Sequence, residues 1–311
     1  MSRFSQRRGE SMRRIFRSAA ASAVAVAFVT TTASAAPEQE PLDVLLTDDD
    51  GHAAPTLAAL KQALTAAGHR VTVVAPCDDQ SGSGTQLSSN YASGEPGPEN
   101  TITAEQLAPD VWSVCGSPGD AVLFGLQHVF TSGPPDVVVS GANPGQNSGA
   151  VANHSGTVGA TITAGEMSIP AIAISVEIDL TANPPQLGNV AAAADYTARV
   201  LDRLQGTSGG AALLPEHVSL NINYPVAPEV KGTRVTKTGR NAFVRPKYER
   251  TDLCENCYVI RPEVDLSRDP VADSDNNALA ADYVSITPLD GDWTASDGVR
   301  SSIRQRLGTL R

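Results

Sequence analysis

The chain has 311 residues, with 23 basic against 34 acidic side chains and a formal charge of −11. That balance excludes a mainly electrostatic binder of nucleic-acid polymers or anionic membranes. A hydrophobic share of 41% with only 5% aromatics, 26 Gly and 21 Pro excludes disorder throughout and suits a core of Ala, Val, Leu and Ile.

Residues 1–35 read as an export signal. Arg13, Arg14 and Arg17 are the positive segment, residues 19–29 the apolar run, and Ala33-Ser34-Ala35 the small-x-small cleavage form. Arg13-Arg14-Ile15-Phe16 loosely resembles a twin-arginine signal, which leaves the export route open. The run is shorter than the roughly 18 to 20 apolar residues of a membrane span. The expectation is an exported protein, secreted or periplasmic, with no membrane attachment after cleavage. Cleavage would remove six arginines and one glutamate, leaving 17 basic and 33 acidic residues and a charge of −16. An anionic ligand would then need a bound cation or a cluster of N–H donors. Cys77, Cys115, Cys254 and Cys257 all follow the leader, and an even count outside the cytoplasm favours two disulfides. Zinc at Cys254-x-x-Cys257 is the alternative, although no second close pair completes it.

Residues 36–225 alternate between the two secondary-structure periods. Asp43-Val44-Leu45-Leu46 predicts a strand, Leu57, Leu60 and Leu64 a helix closed by Gly68, and residues 70–75 a parallel strand. Strands follow at 111–115, 136–139, 171–175 and 218–222, and helices at 120–130, 155–167 and 190–204, the last closed by Gly206. This predicts an α/β fold: a Rossmann-like, doubly wound, mostly parallel sheet. Residues 88–108 read as a loop or hairpin insertion, and 226–311 as a β-rich C-terminal extension and arm, with short runs at 232–238, 257–260 and 283–287.

Ligands in such sheets bind beyond the carboxyl ends of the strands. That rule selects residues 47–51, 76–84, 116–120 and 140–149. Three consecutive aspartates, Asp48, Asp49 and Asp50, are costly at a strand end unless a cation or hydrogen-bond donors offset their repulsion. With Ser81 and Asn143 at neighbouring strand ends, the hard oxygen donors suit Mg²⁺, Mn²⁺ or Ca²⁺. His154-Ser155-Gly156-Thr157 opens a helix whose free N–H groups could cradle a phosphate, unless Ser155 is simply its N-cap. The P-loop, dinucleotide-binding and nucleophile-elbow signatures are absent.

These residues carry a resemblance. Val44-Leu45-Leu46-Thr47-Asp48-Asp49-Asp50-Gly51, Gln80-Ser81-Gly82, Gly116-Ser117-Pro118-Gly119-Asp120, Ser140-Gly141-Ala142-Asn143-Pro144-Gly145-Gln146-Asn147, Ser155-Gly156-Thr157, Asn221-Ile222-Asn223-Tyr224-Pro225 and Tyr283-Val284-Ser285-Ile286-Thr287-Pro288-Leu289 resemble, in order, the motifs of the survival protein SurE family. The resemblance implies a metal-dependent phosphatase of nucleoside 5′- and 3′-monophosphates. It also implies a homodimer or homotetramer whose C-terminal arm exchanges between subunits. By motif position it puts one divalent ion, Mg²⁺ or Mn²⁺ before Ca²⁺ or Zn²⁺, on Asp49, Asp50, Ser81 and Asn143. It puts the phosphate on Asn143, Asn147, Ser155, Gly156 and Thr157.

The chain departs from the family pattern in three places. Asp48 stands where Asn is usual, an extra acid that would tighten metal binding or weaken phosphate affinity. His154 replaces an aromatic residue and is a candidate general acid beside Asp49 and Asp50. An acidic pair is absent from Gly149-Ala150-Val151-Ala152. The cysteines and leader place it in a secreted branch, with Cys77 expected to pair with Cys115 and Cys254 with Cys257. Two rivals remain open. One is a haloacid-dehalogenase-like phosphatase with Asp48 as nucleophile, although His52 stands where that family has Thr or Val. The other is an exported phosphate or nucleotide binder without turnover.

Overall fold

The computed structural model describes residues 40–88 and 97–308, so the expected leader and its cleavage site lie outside the described residues. β1 (Asp43–Thr47) alternates faces, sending Val44 and Leu46 into one core and Leu45 into another. α1 (Pro55–Ala66) begins on a proline, buries Leu57, Leu60 and Leu64, and is followed by Gly68 at φ +97°. Fully burying each of these leucines contributes roughly 1.5 to 3 kcal/mol. β2 (Arg70–Pro76) then pairs parallel to β1.

The expected insertion holds a strand, β3 (Ala104–Ala108), which pairs antiparallel with β4 (Val111–Val114) and forms the sheet's edge. α2 (Pro118–Phe124) starts two residues before the expected position. Ser117 caps it in a reciprocal capping box with Asp120, and Pro118 takes the first turn. The helix then widens into a π turn at Gly125–Val129.

β5 (Val137–Pro144) runs well past the predicted strand. Its pairing with β6 (Ala171–Val176) shifts register between Ser140 and Asn143. Between them lies α3 (Gly156–Glu166), preceded by a 3₁₀ turn at Gly149–His154. A small ribbon, β7 (Ile178–Asp179) with β8 (Gln186–Leu187), leads to α4 (Val190–Ser208). Gly206 lies inside α4. The terminator is Gly209, in the left-handed region at φ +62°.

β9 (Ser219–Tyr224) extends the parallel set. Beyond it, β10 (Thr233–Val235), β11 (Val244–Arg250), β12 (Tyr258–Val264) and β13 (Val284–Leu289) include the three expected β runs. The extension also contains two helices missed by the strand reading, α5 (Asp275–Leu279) and α6 (Asp297–Leu307). β10 and β13 join the central sheet, whereas β11 and β12 form a separate antiparallel hairpin.

The nine-stranded sheet has the order β10-β13-β9-β6-β5-β1-β2-β4-β3. α1 packs with α4 on one face and α2 with α3 on the other, the doubly wound arrangement. From β1 the chain builds outward through β2 and β4, then returns to β5 on the other side of β1. The switch point therefore lies between the carboxyl ends of β1 and β5, where a ligand crevice is expected.

Candidate metal and phosphate site

Seven of the nine predicted site residues, the general-acid candidate His154 among them, line one cleft of about 230 Å³ at this switch point: Asp49, Asp50, Ser81, Asn143, Asn147, His154 and Ser155. Gly156 and Thr157 lie behind Asp49. A Cβ on Gly156 would stand 2.8 Å from Asp49 Cβ and 2.7 Å from Ser83 Oγ, so glycine is what lets α3 close on β1.

The aspartates differ in environment. Asp49 is 2% exposed, and Thr157 Oγ1 donates to its Oδ1 at 2.6 Å. Burial raises its pKa, and that hydrogen bond opposes the rise. Asp50 is raised to about 6, by burial first and then by the negative charges of Asp49 and Asp79. Asp48 is fully buried, outside the cleft lining, and accepts from Asp50 N at 3.4 Å. Burial, then Asp49 and Asp50, push it well above the usual carboxylate range. The expected extra acid is thus a buried group outside the cleft lining, its charged form disfavoured by burial and by its two acidic neighbours. Its burial also removes the access that a covalent nucleophile at Asp48 requires.

Asn143 is carried into the cleft by the register shift in β5, and its Nδ2 donates to Gly145 O at 2.6 Å. Asn147 is held from three directions. Its N–H donates to Asn223 Oδ1 at 2.7 Å, its Nδ2 to Ser175 Oγ at 2.9 Å and Thr157 Oγ1 at 3.3 Å, and its carbonyl accepts from Asn221 Nδ2 at 2.8 Å. Ser155 caps α3, accepting from Val158 N at 3.1 Å, so its hydroxyl holds the helix while it lines the cleft. Ser81 is exposed on the loop after β2, where its N–H donates to Asp79 Oδ1 at 2.7 Å. His154 is exposed at the mouth.

Sequence reasoning left Asn221 and Asn223 without a role. Their signal was two amides at alternate positions of an otherwise apolar strand, hence on one face at its carboxyl end. The expected disulfides, Cys77–Cys115 and Cys254–Cys257, are both present, with Cα atoms 4.8 and 5.3 Å apart.

The donor set fits a divalent cation. Asp50 Oδ2 is buried with no hydrogen-bond partner, and it shares the cleft with the carboxylate of Asp49 and the neutral oxygens of Ser81 and Asn143. These are the hard ligands that Mg²⁺ or Mn²⁺ takes. Among the described residues no group of three or more His, Cys, Asp or Glu is placed to hold an ion. No helix among the described residues is long and apolar enough to cross a membrane.

The family model for survival protein SurE matches residues 44–245. The chain is 35% identical over 255 residues to 5′-nucleotidase SurE of Geotalea uraniireducens (strain Rf4), covering 81% of this chain and 94% of that protein. It is 33% identical over 275 residues to 5′-nucleotidase SurE of Parvibaculum lavamentivorans (strain DS-1), covering 86% and 92%. Among solved structures, the SurE protein of Aquifex aeolicus superposes with a TM-score of 0.67 at 29% identity, covering 85% of this chain and 98% of that one. Its fold, its ordered motifs and these relatives place the chain in the survival protein SurE family.

Proposed function

We propose that the protein is a divalent-metal-dependent phosphomonoesterase that hydrolyses nucleoside 5′-monophosphates, and 3′-monophosphates as well, by attack of water in line on phosphorus. The observation that carries this reading is the meeting of Asp49 and Asp50 with the capped N-terminus of α3 in one switch-point cleft. Asp49, Asp50, Ser81 and Asn143 would hold the ion. Bound there, a divalent cation supplies the positive charge that this acidic chain lacks and lowers the pKa of the attacking water.

The chain's own residues do the rest. Asn143, Asn147 and the N–H groups at the start of α3 orient the phosphate and stabilise the charge that develops on its oxygens. Asp50, whose Oδ2 has no other hydrogen-bond partner, is placed in the cleft to take the water's proton. His154, at the cleft mouth, donates to the leaving alkoxide.

Export belongs to the same proposal, supported by the two disulfides, which suit an oxidising compartment. So does a homodimer or homotetramer, supported by the exposed apolar side chains Tyr248, Tyr258 and Ile260 on the β11–β12 hairpin. Light scattering on the purified chain tests the assembly.

Phosphate release from 5′-AMP, 3′-AMP and p-nitrophenyl phosphate, with Mg²⁺, Mn²⁺, Ca²⁺ or Zn²⁺ and with chelator, tests the reaction. Turnover of the nucleotides that chelator abolishes is expected. Protein that binds nucleotide but turns over nothing under any of the metals would favour the binding-protein reading instead.

A further inference from the structure

The segment from Asn147 to Ser155 carries four residues of the cleft, Asn147, Val151, His154 and Ser155, yet the middle of the segment is held from outside the cleft. Gly149 N donates to Asp275 Oδ2 at 2.9 Å, Ser148 Oγ to Asn276 Oδ1 at 2.7 Å, and Ala150 N to Asn241 O at 3.1 Å. Asn276 Nδ2 closes the set on Asn241 O at 3.0 Å. Asp275 is fully buried, and its other oxygen accepts from Gly239 N at 2.9 Å and Asn276 N at 2.8 Å. Gly149 sits at φ +55°, where a Cβ would run into Asn241 O and Asn276 Nδ2. Three consecutive loop residues are thus latched to the C-terminal extension, through a glycine conformation that allows the close approach.

We propose that Asp275 and Asn276 are positioning residues for the phosphate end of the cleft, so that the extension sets substrate affinity while the turn after β1, the loop after β2 and Asn143 of β5 set metal affinity. This rests on the phosphomonoesterase reading above. A buried carboxylate that accepts three backbone N–H groups fixes their positions closely. Displacing the loop would move Asn147 and Ser155 from the phosphate directly, whereas Asp49 and the Ser81 loop are reached only at second hand, through Thr157 and through Gly84 N on His154 O. Neither residue contacts the reacting atoms, so the signature is a split between phosphate and metal parameters.

The test uses Asp275→Asn and Ser148→Ala in the full chain. Inorganic phosphate binding is measured by calorimetry with Mg²⁺ present, and KM for 5′-AMP and the half-activating Mn²⁺ concentration are measured by turnover. The expected result is an approximately tenfold weaker phosphate affinity for Asp275→Asn and a few-fold loss for Ser148→Ala, with KM rising in step. The Mn²⁺ concentration should stay within about twofold of wild type. Wild-type phosphate affinity in both folded variants overturns the proposal, as does an equal loss of metal activation. If Asp275→Asn does not fold, Ser148→Ala decides alone. A wild type that binds phosphate without turnover refutes the reaction, and the calorimetric comparison still judges the latch.

Discussion

The bond between Thr157 and Asp49 offers the sharpest test of how the cleft is built. Thr157→Val keeps the branched shape of a fully buried side chain and removes one hydroxyl. That hydroxyl donates to Asp49 Oδ1 at 2.6 Å and accepts from Asn147 Nδ2, which keeps Ser175 Oγ as a second partner. The loss therefore falls on a buried carboxylate, where a charge-assisted hydrogen bond contributes roughly 1.5 to 3 kcal/mol. Without it burial acts unopposed by that donor, the pKa of Asp49 rises further, and the proton competes better with the cation. Removing a partner that orients a metal ligand typically weakens metal affinity about 10- to 100-fold. The assay is Mn²⁺ activation of 5′-AMP hydrolysis, alongside Mn²⁺-induced thermal stabilisation. Thr157→Val should shift both midpoints upward by that factor with turnover at saturating Mn²⁺ largely kept, and Thr157→Ser should restore them. An unchanged Mn²⁺ midpoint with turnover lost at saturation would refute the reasoning, because it would assign Thr157 to the phosphate instead.

Asp50→Asn should abolish turnover while the protein folds. Its effect on the metal-free form depends on pH: the wild-type carboxyl, raised from its ordinary 3.8 to about 6 on folding, favours folding below about pH 4 and loses that contribution as pH rises through 6. The shift corresponds to roughly 3 kcal/mol before solvent screening, which reduces it for this half-buried group. In chelator, the wild type should therefore fall behind Asp50→Asn in melting temperature between pH 5 and 7.5, and parallel profiles would count against the burial argument. His154→Gln should lower kcat about 100-fold on 5′-AMP, whose alkoxide needs a proton, and far less on p-nitrophenyl phosphate; equal losses would exclude it as the acid. Cys77→Ser with Cys115→Ser opens a bridge with a sequence separation of 38 and should cost about 3 to 4 kcal/mol, read as a lower denaturation midpoint. A midpoint equal to wild type would contradict that figure.

Much of this architecture was legible because local and global signals coincide. The apolar runs at β1, β2, β5 and β6 are buried parallel strands, and such strands read as continuous hydrophobic segments. What failed to show depends on contacts distant in sequence. β3 is mostly exposed and exists through its pairing with β4, so Ala104–Ala108 carries no alternation to find. β5 continues through Gly141-Ala142-Asn143-Pro144, which reads as loop in isolation and is strand because β6 accompanies it. Gly206 mimicked a helix terminator, although the left-handed residue is Gly209. At the site, the motifs named the residues but not their division of labour. Only the fold shows that Asp48 is sealed away or that Asp49 and Thr157, 108 residues apart, are bonded.

The loop bearing Ser81 is fastened along its whole length. Cys77 is bridged to Cys115 at its start, Gln80 N donates to Asp49 O at 2.7 Å midway, and Gly84 N donates to His154 O at 3.1 Å at its end. The conformational freedom of that loop is lost when the protein folds rather than when an ion arrives, so less of the binding free energy goes into ordering ligands. A rigid receptor therefore retains its cation at concentrations that would empty a floppy one.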